Sequence, residues 1–413
     1  MTSLYLQLQK VMAVLAASMI LVACQSTGSG VTNVGSGNSA YSAQNAMQRT
    51  YHYQSNVYLD VAVPVFETGL AGPYDYKLQE AQREEGIWPQ VRRLEANRFA
   101  LDTKHALEKT GAFGSVHVTP DAQADKDLYV LGKIISSNTE ILELNVKVMD
   151  ARNKTWGEER FKFQVGAFFH NDPMNHGKNP YEPTFAAIAS WVYDLLNKLS
   201  DSEKQEIERV SDLRFAKNYS PEAFSDYLVQ TRSGTWQLAG FPAQNDPMYQ
   251  RIQAVKAKEE QFIHTLQTNY ETFYETSNEA YSTYHHETYP LAVQKRQAEQ
   301  ERRNSQFLSA GLAILAVAAG NQDTHLGNAV AAVAAVGALS NLKDAVDANR
   351  ELHEVRDILD EAGSSLQVQI SPQVIEFENE KIALQGSAQE QYQQLRQRLQ
   401  EIYRLEQTPD QQL

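Results

Sequence analysis

Midway along this chain the apolar residues change their period, and that change limits the folds open to it. Between residues 57 and 165 they alternate with polar ones. Val57, Leu59, Val61, Val63 and Val65 share one face, as do Leu142, Leu144, Val146 and Val148, and then Phe161, Phe163 and Val165. A period of two puts successive side chains on opposite faces of a strand, so these segments predict half-buried strands. From Pro247 to Tyr289 the apolar positions instead fall near Ile252, Val255, Phe262, Leu266, Tyr270, Phe273, Tyr281 and Tyr284. Steps of three and four over several turns predict one long helix with a coiled-coil-like seam.

The remaining elements fill in around these. Residues 89–109 read as a helix, with Val91, Leu94, Phe99, Leu101 and Leu107 in its stripe and Gly111 ending it. Strands are expected at 57–66, 115–119, 128–135, 141–149 and 159–165, and a helix at 181–210 along Phe185, Ile188, Trp191, Val192 and Leu195. Pro64 marks an edge or a strand end. The order β-α-β-β-β-β-α makes a compact α/β sandwich. Ser220-Pro221-Glu222 and Asp246-Pro247-Met248 each look like an N-cap followed by a helix-opening proline. Pro290 kinks or ends the long helix. Two small-residue segments follow at 307–320 and 326–339, then a helix at 342–362, strands at 366–370 and 374–384 turning at Glu378-Asn379-Glu380, and a last helix at 386–406. The fold class is α+β: an α/β sandwich, then a mainly helical part with a long helix, an Ala/Gly-rich helical hairpin and a small C-terminal β-hairpin.

At the N-terminus, Lys10 precedes the short apolar run VMAVLAASMILV at residues 11–22, and Ala23 and Cys24 follow. A basic start, a brief apolar stretch and small residues at the cut are those of a secretory signal, too short for a lasting transmembrane helix. The quartet Leu21-Val22-Ala23-Cys24 resembles the bacterial lipobox. That resemblance implies cleavage before Cys24 and acylation of its thiol and new amino terminus. Cys24 is the only cysteine, so no disulfide can form within the chain. Several acyl chains would make the anchoring stable. Gln25, where lipoprotein sorting rules would read an Asp as retention at the inner membrane, implies the outer membrane, with the body in the periplasm. Residues 25–55, rich in Ser, Gly, Asn and Ala, read as a flexible tether. The division is then 1–23 signal peptide, 24–55 lipidated tether, 56–212 α/β domain, 213–363 long helix and Ala/Gly hairpin, and 364–413 β-hairpin with the C-terminal helix.

The strand DVAVPVF, the helix end ALEKTGAFGSVHV, the hairpin DLYVLGKIISS…LELNVKVMDARNKTW and the helix after NPYEPTF together resemble the periplasmic α/β domain of some bacterial envelope lipoproteins. Those include the curli secretion channel family, the lipoprotein activators of penicillin-binding proteins and the amino-terminal domain of the TolB type. The resemblance implies a periplasmic α/β domain of an envelope lipoprotein.

A net charge of −14 argues against nucleic acid as a partner. The small-residue segments are each about fourteen residues, short of the roughly twenty that span a bilayer core, and suit close helix packing. His285 and His286, with His264 on the same helix, lack the carboxylate spacing of a zinc helix, and His170 and His176 sit in a loop. No phosphate loop, nucleophile elbow or HExxH motif is present, so no catalytic residue, metal ligand or cofactor site is nominated and an enzyme is not expected. The sequence points to a lipid-anchored structural or accessory binding protein of the cell envelope, engaging a protein partner or copies of itself. Its rival is an oligomeric component of an outer-membrane secretion or export system whose Ala/Gly hairpin enters the membrane.

Overall fold

The structure, a computed structural model, describes residues 31–34, 41–318 apart from 73, 85–86, 124 and 244, then 373–377 and 380–407. Cys24 and the run before it, the second small-residue segment, the helix expected at 342–362 and the strand expected at 366–370 lie outside those residues.

Six strands, β1 (Val31–Asn33), β2 (Val61–Pro64), β3 (Val116–Thr119), β4 (Leu128–Ser137), β5 (Ile141–Asp150) and β6 (Thr155–Gln164), form one mixed sheet in the order β1-β6-β5-β4-β2-β3. The meander β4-β5-β6 is antiparallel, and the alternation sets its register: Leu142 faces Phe163 and Leu144 faces Phe161, all on the buried side. Strand β2 lies inside the sheet, parallel to both β3 and β4, and Pro64 closes its end rather than marking an edge. The β5–β6 turn is built on Asp150. Its buried carboxylate accepts from the N–H groups of Arg152 and Lys154, the Arg152 guanidinium and the Trp156 indole at 2.7–3.2 Å. Asn153 takes the left-handed conformation there, at φ 62°.

Gly132, in the middle of β4, is required by packing. A Cβ at this position would meet the ring of buried Phe66 at 2.3 Å. Gly132→Ala is therefore expected to cost about 1–3 kcal/mol by overpacking. Urea unfolding measures this, and an unchanged midpoint would show that Phe66 has room to move.

The helices are α1 (Ala43–Gln48), α2 (Tyr76–Glu84), α3 (Pro89–Glu108), α4 (Glu182–Leu196), α5 (Asp201–Tyr219), α6 (Pro221–Phe224), α7 (Pro247–Ala318) and α8 (Ala388–Gln407). The single helix expected at 181–210 is two, because Ser200 and Glu203 form a reciprocal capping box that starts a new helix. Residue 212, where a domain boundary is expected, lies inside α5. One buried cluster runs from Val34 through the sheet to Leu266 and Tyr270 of α7 and Leu399 of α8. Two small hairpins complete the fold: β7 (Leu228–Gln230) with β8 (Trp236–Leu238), and β9 (Gln373–Phe377) with β10 (Glu380–Leu384).

Within the tether expected to residue 55, residues 31–34 and 41–55 are ordered chain. Strand β1 pairs with β6, and from Tyr41 the segment is fastened to α4. Arg49 makes a bidentate ion pair with Asp194, Tyr41 donates to the same carboxylate, and Tyr51 and Ser190 share a hydrogen bond. Its polar composition masks three tyrosines and an arginine, which supply the burial that serine and glycine cannot.

Helix α7 continues through Pro290 without ending. The seam residues from Ile252 to Phe273 are buried, but against the body rather than in a coiled coil, since the helix packs on α3, α5, α8 and edge strand β3. Gln267 closes that edge: its carboxamide accepts from the Val118 N–H and donates to the Val118 carbonyl, both at 2.9 Å. A side chain here takes the place of a neighbouring strand.

Candidate functional site

Beyond Phe273 the buried positions of α7 step strictly by four: Phe273, Ser277, Tyr281, His285 and Tyr289. Each such step turns about 40° past a full revolution, so the stripe winds around the helix and brings polar residues inward. At its end lies a cleft of about 340 Å³ between α7, α3 and the loop at residues 166–180.

Arg98 of α3 forms one wall and is 2% exposed. Its guanidinium lies 3.8 Å from the Tyr274 ring centre and 4.6 Å from that of Tyr281. It donates to the Tyr274 carbonyl, Ser277 Oγ and Asn278 Oδ1 at 2.8–3.0 Å, while its Nε–H has no acceptor. Neither neighbouring carboxylate touches it. Glu95 is held by Arg92, Ser137 and Tyr281, and Asp102 by Tyr274 and Asn179. Burial pushes the Asp102 carboxyl up to about 6, against the pull of Arg98.

His285, 1% exposed, lines the same cleft, and neither ring nitrogen has a hydrogen-bond partner. Its ring sits edge-on to Tyr281 and Tyr181, at 4.4 and 5.0 Å between centres. Burial holds its pKa well below the ordinary histidine range, so the ring is neutral. His170 comes from the loop and rests on Tyr289 at 4.9 Å, with its centre 6.3 Å from His285 and 6.2 Å from His286. Its buried Nε2 also lacks a partner, and burial lowers its pKa too. The loop is braced internally by Asn175 donating to the Phe169 carbonyl and tied to α3 by Asn179 donating to Asp102.

The structure thus gathers His170, His176, His285 and His286 around one cleft and leaves His264 elsewhere on α7, at an exposed position with its ring centre 6.1 Å from that of His117. Among the described residues no group of three or more His, Cys, Asp or Glu is placed to hold a metal ion, and no helix is long and apolar enough to cross a membrane. Cys24, the expected lipidation site, lies outside the described residues. Sequence reasoning missed Arg98, although a signal was there: Val91, Leu94, Arg98 and Leu101 step by three and four, so a cation occupies a core position. In comparisons with known families, characterised proteins and solved structures, nothing matches this chain.

Proposed function

We propose that this chain is a lipid-anchored lipoprotein of the outer membrane, its body in the periplasm, serving a structural or accessory binding role in the cell envelope through a protein partner or self-association. The observation that carries this reading is the sequence Leu21-Val22-Ala23-Cys24 directly after a short apolar run, with the chain's only cysteine at the cut. Acyl chains on Cys24 contribute roughly 0.8 kcal/mol per buried methylene, so two or more make a lasting anchor. The fold adds a distance. Strand β1 begins at Val31, and the seven steps from Cys24 reach at most about 25 Å, so an anchored body would hold its β1–β6 edge close to the lipid. Replacing Cys24 by Ser is expected to move the protein from the membrane pellet to the soluble fraction and remove its lipid mass. Retention of both would sink the proposal.

The rival, an oligomeric export component, draws on one feature: α7 runs unbroken to Ala318 and so includes most of the first small-residue segment. A large ring in detergent would favour it, and a monomer or dimer the accessory role.

A further inference from the structure

We propose that the cleft between the 166–180 loop and the α3–α7 seam binds a small organic carboxylate. Its charged end would lie on Arg98, His285 and His170, and its apolar body against Phe169 and Tyr281. The proposal does not depend on the anchor at Cys24.

Four buried polar atoms at this cleft have no partner: Arg98 Nε, both ring nitrogens of His285 and Nε2 of His170. Leaving such groups unpaired costs roughly 1–3 kcal/mol each, and native folds keep few of them. All three residues line one cleft, their unpaired atoms covered rather than exposed, which points to a ligand that pairs them once the lining side chains shift. The Nε–H of arginine can only donate, and a neutral imidazole brings one N–H beside one acceptor nitrogen. The ligand must therefore bring acceptors for Arg98 and the imidazole N–H groups, and it leaves the second nitrogen of His285 to another donor. Charge narrows this further. Arg98 is a buried cation with no carboxylate in ion-pair contact among the described residues, and the nearby Glu95 and Asp102 are engaged by other donors. A carboxylate offers about four acceptor sites and matches the planar edge of a guanidinium, which makes the hydrogen bonds charge-assisted. A metal ion would instead meet that guanidinium as a like charge. Asp172, also in the lining, disfavours a phosphate dianion, while Phe169, Pro173, Pro180 and Tyr281 give an apolar surface that an inorganic anion would leave unused. The volume suits one small acid.

The full-length protein in detergent is titrated with benzoate, N-acetylalanine, benzyl alcohol and inorganic phosphate, following the His170 and His285 imidazole signals by NMR. The expected result is a saturable shift with the two acids, weaker or none with phosphate, and none with the alcohol. His285→Phe and, separately, His170→Phe should each weaken acid binding about tenfold or more, the loss of one charge-assisted hydrogen bond. Two variants on different elements guard against a folding defect in either. The proposal is overturned by no saturable shift with either acid up to about 10 mM, by an equal response to benzyl alcohol, by tighter binding of phosphate, or by unchanged affinity in both variants.

Discussion

Arg396→Leu is expected to destabilise the protein by about 3–5 kcal/mol at pH 7 and to loosen helix α8 from the body. Arg396 is a cation shared by two buried acids. Its Nη2 lies 3.1 Å from Asp125 and its Nε 3.8 Å from Glu259, and Nη1 donates to the Gln123 carbonyl at 2.8 Å. Glu259 is 3% exposed and is also met by the hydroxyls of Tyr219 and Tyr392, which can donate a proton but supply no charge. Leucine fills much of the volume of the arginine stem while leaving Glu259 with no cation in contact among the described residues and Asp125 with only the weaker pull of Arg214 and Lys256. The pH dependence separates charge from packing. Burial already raises both carboxyl pKa values, with Arg396 pulling them down, so its removal raises them further. A carboxyl whose folded pKa is raised favours the folded state at low pH and loses that contribution as pH rises through the folded pKa. The deficit of the variant should therefore be largest at neutral pH and shrink towards pH 5. Urea titrations of both proteins at pH 7 and pH 5 check this, and an equal deficit at both values would mean that shape, not charge, holds α8.

His285→Phe should act in the opposite direction, raising stability by about 1–3 kcal/mol at pH 7.5, because a phenyl ring has no nitrogen to desolvate. The groups facing His285 are Tyr181, Tyr281 and Tyr284, the His170 ring and the Arg98 cation, and the two basic groups oppose its protonation. A histidine with a depressed folded pKa contributes stability above its unfolded value, near 6.5, and loses it as pH falls below that. The advantage of the variant should then widen by up to about 1.4 kcal/mol per pH unit below 6.5. The wild-type curve alone does not read this, because burial raises Asp102 and Asp127 to about 6 and they push stability the other way below that pH. The difference between the two proteins isolates the histidine. A variant less stable than the wild type, or a gap that stays constant between pH 7.5 and 5.5, would show that the ring nitrogens are already satisfied. Gained stability together with lost acid binding would mark His285 as a residue kept for function at the expense of the fold.

Most of the sheet was legible because one face of each strand is buried, and burial is what writes an alternation into sequence. Helices α3 and α7 were legible for the same reason at their own period. What the sequence hid depends on contacts between distant residues. Arg49 and Asp194 are 145 positions apart, and their meeting, with the Tyr41 and Tyr51 hydrogen bonds, turns a serine-rich stretch into ordered chain. The cleft was hidden similarly: His170 in a loop gives no periodic signal, and its approach to His285 follows from how α7 crosses the body. The break before α5 was readable at Ser200 and Glu203, where the apolar stripe outweighed the capping box. The seam was read correctly as a seam, but its partner, a sheet edge with three helices, could not be told from a second helix by spacing alone.

The closure of β3 by Gln267 also sets an order of events in folding. The two are 149 positions apart, so a chain emerging from its N-terminus completes all the residues of the sheet long before the group that seals it. Until α7 arrives, β3 presents the free N–H and carbonyl of Val118 to any extended chain nearby, which is how sheets recruit foreign strands. Pairings this remote in sequence also form slowly, because the intervening loop must close first. The half-made protein is therefore an open template, and the long helix is as much its guard against aggregation as a part of its architecture.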